Sequence, residues 1–386
     1  MFHLFTILAL LPAAYVYWSL IHPLSLRKRW KVLSGVILVL SSLKNEVLSL
    51  FGGPMFFAPE LPGWFLILLS LAFNTLLMLF FLSILKDLAR GILFIAGALR
   101  GRRIRMEKQA GICAAAVAGI GLLLGIFGTY SALAVPEVRE ETLTIENLPA
   151  GLENLRIALV ADIHCSAVNR EPLVRAIAER VNALRPDLIF LLGDLVDGTP
   201  EQRLKDLLPL STLRAEYGVY AVPGNHEFFS GWEKWQPIYR EWNFRLLLNR
   251  GELLTIRGAP LYVAGVSDRA GKHFGFEGPD PEQAMRGCPA GTVAFLLDHR
   301  PGNAAKNAEL PVSAQFSGHT HGGMIAGIGE SLIGSCNGGF AGGWYSIGKS
   351  RLYVSRGSSL WNGFIFRLGV PSEITLLTLK KGTDRS

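Results

Sequence analysis

The stretch Phe316-Ser317-Gly318-His319-Thr320-His321-Gly322-Gly323 puts two imidazoles one residue apart, between glycines and behind a short apolar run. That order suits a strand end turning into a tight loop, where absent side chains let the backbone close on whatever the rings face. A His-x-His pair alone carries little weight. It gains weight from Asp162-Ile163-His164, Gly193-Asp194 with Asp197, Gly224-Asn225-His226-Glu227 and His299, which stand upstream in the same strand-then-loop setting.

Outward from these motifs the chain repeats one pattern of short apolar run, loop and amphipathic helix. Leu155–Ala161 ends at Asp162, Leu188–Leu192 at Gly193-Asp194 and Val219–Val222 at Pro223-Gly224-Asn225-His226. Val293–Leu297 ends at Asp298-His299, and Ala314–Ser317 at Gly318-His319. Pro172 opens a predicted helix with Leu173, Ile177, Val181 and Leu184 on one face, and another lies around Leu204–Leu210. This is the pattern of an α/β domain, whose sites form beyond the carboxyl ends of its strands. Gly327–Gly348 is glycine-rich and reads as a long surface loop.

The candidate metal ligands are Asp162, His164, Asp194, Asn225, His299, His319 and His321. Carboxylate, amide oxygen and imidazole together suit borderline to hard divalent ions such as Mn²⁺, Fe²⁺ or Zn²⁺. Seven ligand types are too many for one ion but enough for two sharing a carboxylate, which sit roughly 3.5–4 Å apart when they clamp a phosphoryl transfer. Any one of these residues has a plainer reading. Asp162 or Asp194 alone caps a helix, Gly224-Asn225 alone is a turn, and a single histidine is more often packed or exposed than a ligand. Together, five of the eight histidines fall at predicted strand ends.

In full and in order, Asp162-x-His164, Gly193-Asp194-x-x-Asp197, Gly224-Asn225-His226-Glu227, His299 and Gly318-His319-x-His321 resemble the calcineurin-like metallophosphoesterases, over about Leu155 to Leu379. The tail, Tyr353-Val354-Ser355-Arg356-Gly357 and Arg367-Leu368-Gly369-Val370-Pro371-Ser372-Glu373-Ile374, is similar to the bacterial membrane-associated branch. The resemblance implies a four-layer sandwich, two β-sheets flanked by helices, over residues 151–386. It implies that Asp162, His164 and His321 bind a first divalent ion, that Asp194 bridges, and that Asn225, His299 and His319 complete a second. A hydroxide held between the ions would attack phosphorus in line. His226 would stabilise the developing charge or protonate the leaving oxygen, with Asp197 orienting its ring.

The N-terminal third has a different character. Half of the 386 residues are hydrophobic, and the long apolar runs fall within residues 1–135. Four transmembrane helices are expected there, over residues 2–21, 32–51, 64–85 and 110–133, each near the roughly 20 residues a bilayer requires. Ile92–Leu99 is too short to cross and reads as an interfacial helix. Residues 136–150 read as a polar linker with a strand-like Thr142–Ile145. Through residue 135 there are 12 Lys/Arg against 4 Asp/Glu, whereas the remainder has 26 against 27. The basic excess therefore belongs to membrane-flanking loops and gives no argument for a nucleic-acid partner. The basic clusters Arg27–Lys31 and Lys86–Lys108 mark the cytoplasmic side. This makes the chain a multi-pass protein of the cell (inner) membrane with its catalytic domain outside the cytoplasm, unless the helix interrupted at Lys44-Asn45-Glu46 fails to span. Lys44 and Glu46 are expected to snorkel to water near a helix end rather than form a transport path.

Trp232, Trp235, Tyr239 and Trp242 recur at helical spacing, which favours a core stripe over a bilayer-facing or acyl-binding one. Asp268 matches a loop of the family without an evident role, and His273 reads as a surface residue. Four cysteines without a metal-binding spacing read as unpaired. The chain thus reads as a membrane-anchored phosphate mono- or diesterase, with phospholipid, lipid-linked or cell-envelope phosphates as candidate substrates. Competing readings are a cytoplasm-facing pyrophosphatase of a nucleotide-linked lipid precursor and a transport or sensor module whose outer domain only binds metal.

Overall fold

A computed structural model describes residues 10–51, 59–101 and 110–382. The chain forms two compact units: Met1–Ser131 with Gly363–Phe366, and Ala132–Asn362 with Arg367–Ser386.

The first unit is helical. Two of its helices, Gly63–Leu99 and Gly111–Leu133, are long and apolar enough to cross a membrane. A third span exists if Lys28–Ser42 and Lys44–Phe51, bent by 48° at their junction, count as one. Of the first expected span, residues 2–9 lie outside the described residues; the rest is the short apolar helix Leu10–Ile21, whose last turn is π-helical. Among the described residues there are thus two or three candidate spans rather than four. The interfacial helix at Ile92–Leu99 is not separate either, since one helix runs from Gly63 to Leu99. Its charges are paired in place. Asp87 accepts from Tyr15 and Ser19 and faces Lys86 at 3.1 Å, so no polar group forces a break.

Lys44 is fully buried rather than snorkelling. Its Nζ donates to the Gly363 carbonyl at 2.8 Å and lies 5.4 Å from the Phe73 ring centroid. Asn74 donates to Thr129 Oγ1 and to the Ile365 carbonyl, at 3.0 and 2.8 Å. Small residues let the backbones approach: a Cβ on Gly125 would lie 2.3 Å from Thr75 Oγ1, and one on Gly128 would enter the Phe366 ring.

The second unit holds two six-stranded sheets. The first runs in the order β1 (Glu137–Ile145), β12 (Glu373–Lys381), β2 (Arg156–Val160), β3 (Leu188–Leu191), β4 (Val219–Ala221), β5 (Phe244–Leu246). The second runs β10 (Gly343–Ile347), β11 (Ser350–Val354), β9 (Ala314–Ser317), β8 (Val293–Leu297), β7 (Ala259–Gly265), β6 (Arg250–Ile256). All five apolar runs that end in ligand types are strands, and each neighbouring pair among β2, β3 and β4, and β8 and β9, is parallel.

Alternation along the strands builds the layers. Ile157, Leu159, Phe190, Phe295 and Phe316 face inward into a shared core between the sheets. Ala158 and Val160 point outward onto Val174, Ile177 and Val181 of the helix Glu171–Ala183. Tyr262, Ala264 and Leu296 do the same on the other side, against Ala284 and Met285. Strands buried on both faces have no polar alternation, which explains their continuous apolar sequence. Each large side chain in these layers contributes about 1.5–3 kcal/mol.

Two expectations change here. Residues 136–150 are not merely a linker, because β1 pairs in parallel with β12 along its whole length and caps that strand's open edge. The glycine-rich stretch 327–348 is not one loop: it forms the helix Ile328–Ser335 and then β10.

Candidate metal centre

Each ligand type sits one to a few residues past a strand's carboxyl end, on loops laced to one another by backbone hydrogen bonds. Asp162 N donates to the Gly193 carbonyl and His164 N to the Asp194 carbonyl, both at 3.0 Å. Gly318 N donates to the His299 carbonyl at 3.0 Å, and Ser359 N to the Asp162 carbonyl at 3.0 Å. His319 N reaches the Asp162 carboxylate at 3.0 Å, so a loop of one sheet is tied to a loop of the other. Five of the seven ligand types hold left-handed backbone: Asp162, His164, Asp194, His319 and His321, with φ of 54°, 47°, 54°, 71° and 51°. Such conformations cost about 1 kcal/mol or more each and persist where the surroundings dictate them, which is characteristic of functional sites.

The side chains gather into overlapping groups. Asp162, His164 and His321 bring one ligand atom each within 4.8 Å of one another, as do Asp194, His299 and His319, and also His164, Asp197 and His226. Asp194 Oδ2 lies between the first two groups, 3.1 Å from His299 Nε2 and 3.8 Å from His164 Nε2. Apart from the partly exposed His319, all of these residues and Asn225 are buried.

Buried polar atoms are normally hydrogen-bonded. Here His164 Nε2 and Asn225 Oδ1 are buried without a hydrogen-bond partner, and His299 Nε2 has only the Asp194 carboxylate, 3.1 Å away. The opposite nitrogens of both rings are fixed, His164 Nδ1 by Asp197 Oδ1 at 2.9 Å and His299 Nδ1 by the Leu192 carbonyl at 2.8 Å. In the neutral form of each ring this puts the proton on Nδ1 and the lone pair on Nε2, the arrangement that outer-sphere support gives a metal ligand. Oxygen and nitrogen donors converging in this way fit divalent metal ions.

Electrostatics agree. Burial opposes ionisation of Asp194, yet His299, His226 and His164 hold its carboxyl well below the usual range. Burial likewise opposes ionisation of Asp197, but His164 and His226 draw it down to about 2. Asp162 yields chiefly to burial and rises to about 6. Burial disfavours the charged form of His226 and His299, but Asp197 and Asp194 beside the first, and Asp194 beside the second, raise them to about 9 and about 10. Burial and neighbouring cations keep His319 and His321 neutral, well below the usual imidazole range. The pocket therefore sets buried carboxylates and the neutral His319 and His321 beside protonated His226 and His299, and a cation taking His299 would displace its proton.

Asp197 has a wider part than the sequence suggests. Its Oδ1 accepts from His226 Nδ1 at 2.7 Å as well as from His164, so one carboxylate orients both rings. Sequence reasoning also gave no part to Glu227, Arg367 or Arg300. Glu227 accepts from the amides of Asp194, Leu195 and Gly224, at 2.9, 2.6 and 2.7 Å, and so clamps two ligand loops together. Arg367, fully buried, donates to the carbonyls of His321, Val370, Arg356 and Ser359. Arg300 donates from Nε to Asp268, whose place in the fold thereby acquires a reason. The aromatic stripe lies in the core: Trp232, Trp235 and Tyr239 are buried, and Trp235 Nε1 donates to the Gly198 carbonyl at 2.9 Å.

The calcineurin-like phosphoesterase family profile matches residues 155–323. An uncharacterized metallophosphoesterase of Campylobacter jejuni is 28% identical over 373 residues, covering 95% of this chain and 94% of that one. A bovine transmembrane protein with metallophosphoesterase domain is 30% identical over 318 residues, covering 79% of this chain and 71% of its own. An uncharacterized metallophosphoesterase of Helicobacter pylori is 32% identical over 261 residues, covering 67% of this chain and 68% of its own.

Proposed function

Because the chain belongs to the calcineurin-like metallophosphoesterases and is a metal-dependent phosphoric ester hydrolase, we propose that its seven converging donors hold two divalent ions and that His226 serves the leaving group. Asp162, His164 and His321 hold the first ion; Asn225, His299 and His319 hold the second; Asp194 serves both. The observation that carries this reading is Asp194 Oδ2 standing 3.1 Å from His299 Nε2 and 3.8 Å from His164 Nε2, with His164 Nε2 and Asn225 Oδ1 buried and unpartnered. Bound, such a pair of Mn²⁺, Fe²⁺ or Zn²⁺ ions supplies an activated water and positive charge for the phosphoryl oxygens.

The chain's own residues do the rest. Asp197 fixes His226 through Nδ1, so that Nε2 is the nitrogen able to meet the ester oxygen. Asp197 and Asp194 beside it favour the protonated ring against the pull of burial, the form that a donor to a departing alkoxide requires. The Asp194 carboxylate, accepting from the His226 amide, and Glu227, accepting from the Asp194 amide, keep the loops of β3 and β4 in register while this happens.

The apolar helices support a membrane-anchored protein acting on phospholipid, lipid-linked or cell-envelope phosphate esters. Mn²⁺-dependent hydrolysis of bis-p-nitrophenyl phosphate by the purified chain tests the chemistry. It should be lost in Asp194→Asn and fall by about 100-fold or more in His226→Ala. A protein that binds two ions yet hydrolyses no phosphate ester would overturn the reading.

A further inference from the structure

Arg300 follows the proposed ligand His299 and is held from one side. Its Nε donates to Asp268 Oδ2 at 2.6 Å, and Asp268 is itself pinned by the Ala270 amide at 2.7 Å. From the other side its Nη1 lies 2.6 Å from His319 Nε2. Asp298, the next carboxylate, is already engaged: Oδ1 by the Arg300 amide and Oδ2 by Asn307. The guanidinium is mostly buried, its side chain only 16% exposed. A fixed cation thus stands at the edge of the second group of ligands.

The Arg300–His319 contact cannot survive loading of that group. A neutral imidazole has one lone pair and one N–H. If an ion takes Nε2, the lone pair Arg300 uses is gone. If it takes Nδ1, Nε2 carries the proton and donor meets donor. Either way Nη1 is released while Nε stays on Asp268, so the guanidinium remains in place with a donor to offer. A cation left beside a dication is stable only if an anion joins them, and a guanidinium fork matches phosphate oxygens.

We propose that Arg300 is a catalytic residue of this site, donating to a non-bridging oxygen of the substrate phosphate, and that Asp268 is the positioning residue that aims it. The inference rests on the metal-centre reading above. Removing one preorganised donor to developing charge typically costs 10²–10³-fold in rate, so an effect on the order of 10²-fold is expected.

The test uses the full chain in detergent, loaded with Mn²⁺, as wild type, Arg300→Gln, Arg300→Lys, Asp268→Asn and the Arg300→Gln/Asp268→Asn double variant. Hydrolysis of bis-p-nitrophenyl phosphate, its inhibition by inorganic phosphate, Mn²⁺ content and thermal melting are read on each. Arg300→Gln should keep its Mn²⁺, melt somewhat lower because buried Asp268 loses its cation, lose about 100-fold in kcat/KM and weaken phosphate inhibition about tenfold or more. Arg300→Lys should recover part of both losses. Asp268→Asn should lose less than Arg300→Gln, and the double variant no more than Arg300→Gln alone. Unchanged kcat/KM and phosphate inhibition in Arg300→Gln overturn the inference. So does a loss that follows Mn²⁺ content and vanishes at saturating Mn²⁺, since Arg300 would then serve only His319. If wild type hydrolyses nothing, it is the function reading that fails, and calorimetric titration of phosphate into the Mn²⁺-loaded wild type and Arg300→Gln decides for or against Arg300.

Discussion

His226 shows how one contact sets the chemistry of a side chain. Its pKa rises from 6.5 to about 9 because, against the pull of burial, Asp197 and Asp194 favour the imidazolium. The folded protein binds that proton more tightly than the unfolded chain does. The resulting stability is fully present below about pH 6.5 and lost as pH rises through about 9. In chelator-treated protein, wild type should therefore melt above His226→Gln at pH 6, with the gap closing by pH 10. A gap that stays constant across that range would show that the Asp197–His226 ion pair is not formed. At this scale the motif residues were legible because each lies just past an apolar run whose length marks a strand. Glu227, Arg367 and Arg300 were not. Their partners are backbone groups or side chains of other loops, such as the Asp194 amide and the His321 carbonyl, and sequence spacing carries no record of those.

At the scale of elements, close approach explains what residue type alone does not. Gly224 has an ordinary φ of −92°, so conformational freedom is not its reason. A Cβ there would stand 2.1 Å from Asp194 Oδ1, and β4's loop would have to leave β3's. Gly224→Ala should lower the melting point by an amount equivalent to about 1–3 kcal/mol and reduce bound Mn²⁺ as Asp194 is displaced. In the helix Trp232–Glu241, Trp235 is buried and bonded to the Gly198 carbonyl. Trp235→Ala should cost about 3–5 kcal/mol, read as a lowered midpoint in denaturant, without changing the pH profile of any remaining activity. Strands between the layers could be read from their unbroken apolar runs. Of β1 only Thr142–Ile145 could be read, because the mixed Glu137-Val138-Arg139-Glu140-Glu141 gains its strand character from the partner β12, more than two hundred residues away. The helix Gly63–Leu99 was read as two because composition changes at Lys86, whereas the backbone ladder continues through paired charges.

At the scale of the whole molecule, two long apolar helices with a basic stretch between them give a testable orientation. Applied to Gly63–Leu99 and Gly111–Leu133, the positive-inside rule predicts that this stretch, Arg100 to Lys108, faces the cytoplasm and that the chain beyond residue 133 lies on the other side. A C-terminal reporter active only outside the cytoplasm should be active, and one active only inside should be silent. The reverse result would favour a substrate of the cytoplasmic leaflet. Loading should also stabilise the fold: Mn²⁺ at a hundred times its dissociation constant should add about 2.7 kcal/mol per site, seen as a melting shift reversed by chelator.

The division into units has a practical corollary for anyone wishing to isolate the hydrolase. The boundary is crossed more than once along the polypeptide, because Gly363–Phe366 groups with the helices while Asn362 and Arg367 on either side do not. A fragment begun at Ala132 would carry Phe364-Ile365-Phe366 without the Lys44 and Asn74 that hold the Gly363 and Ile365 carbonyls and without the Gly128 surface that receives Phe366. Such a truncation should come out of cells sticky and detergent-dependent, even with every proposed ligand present.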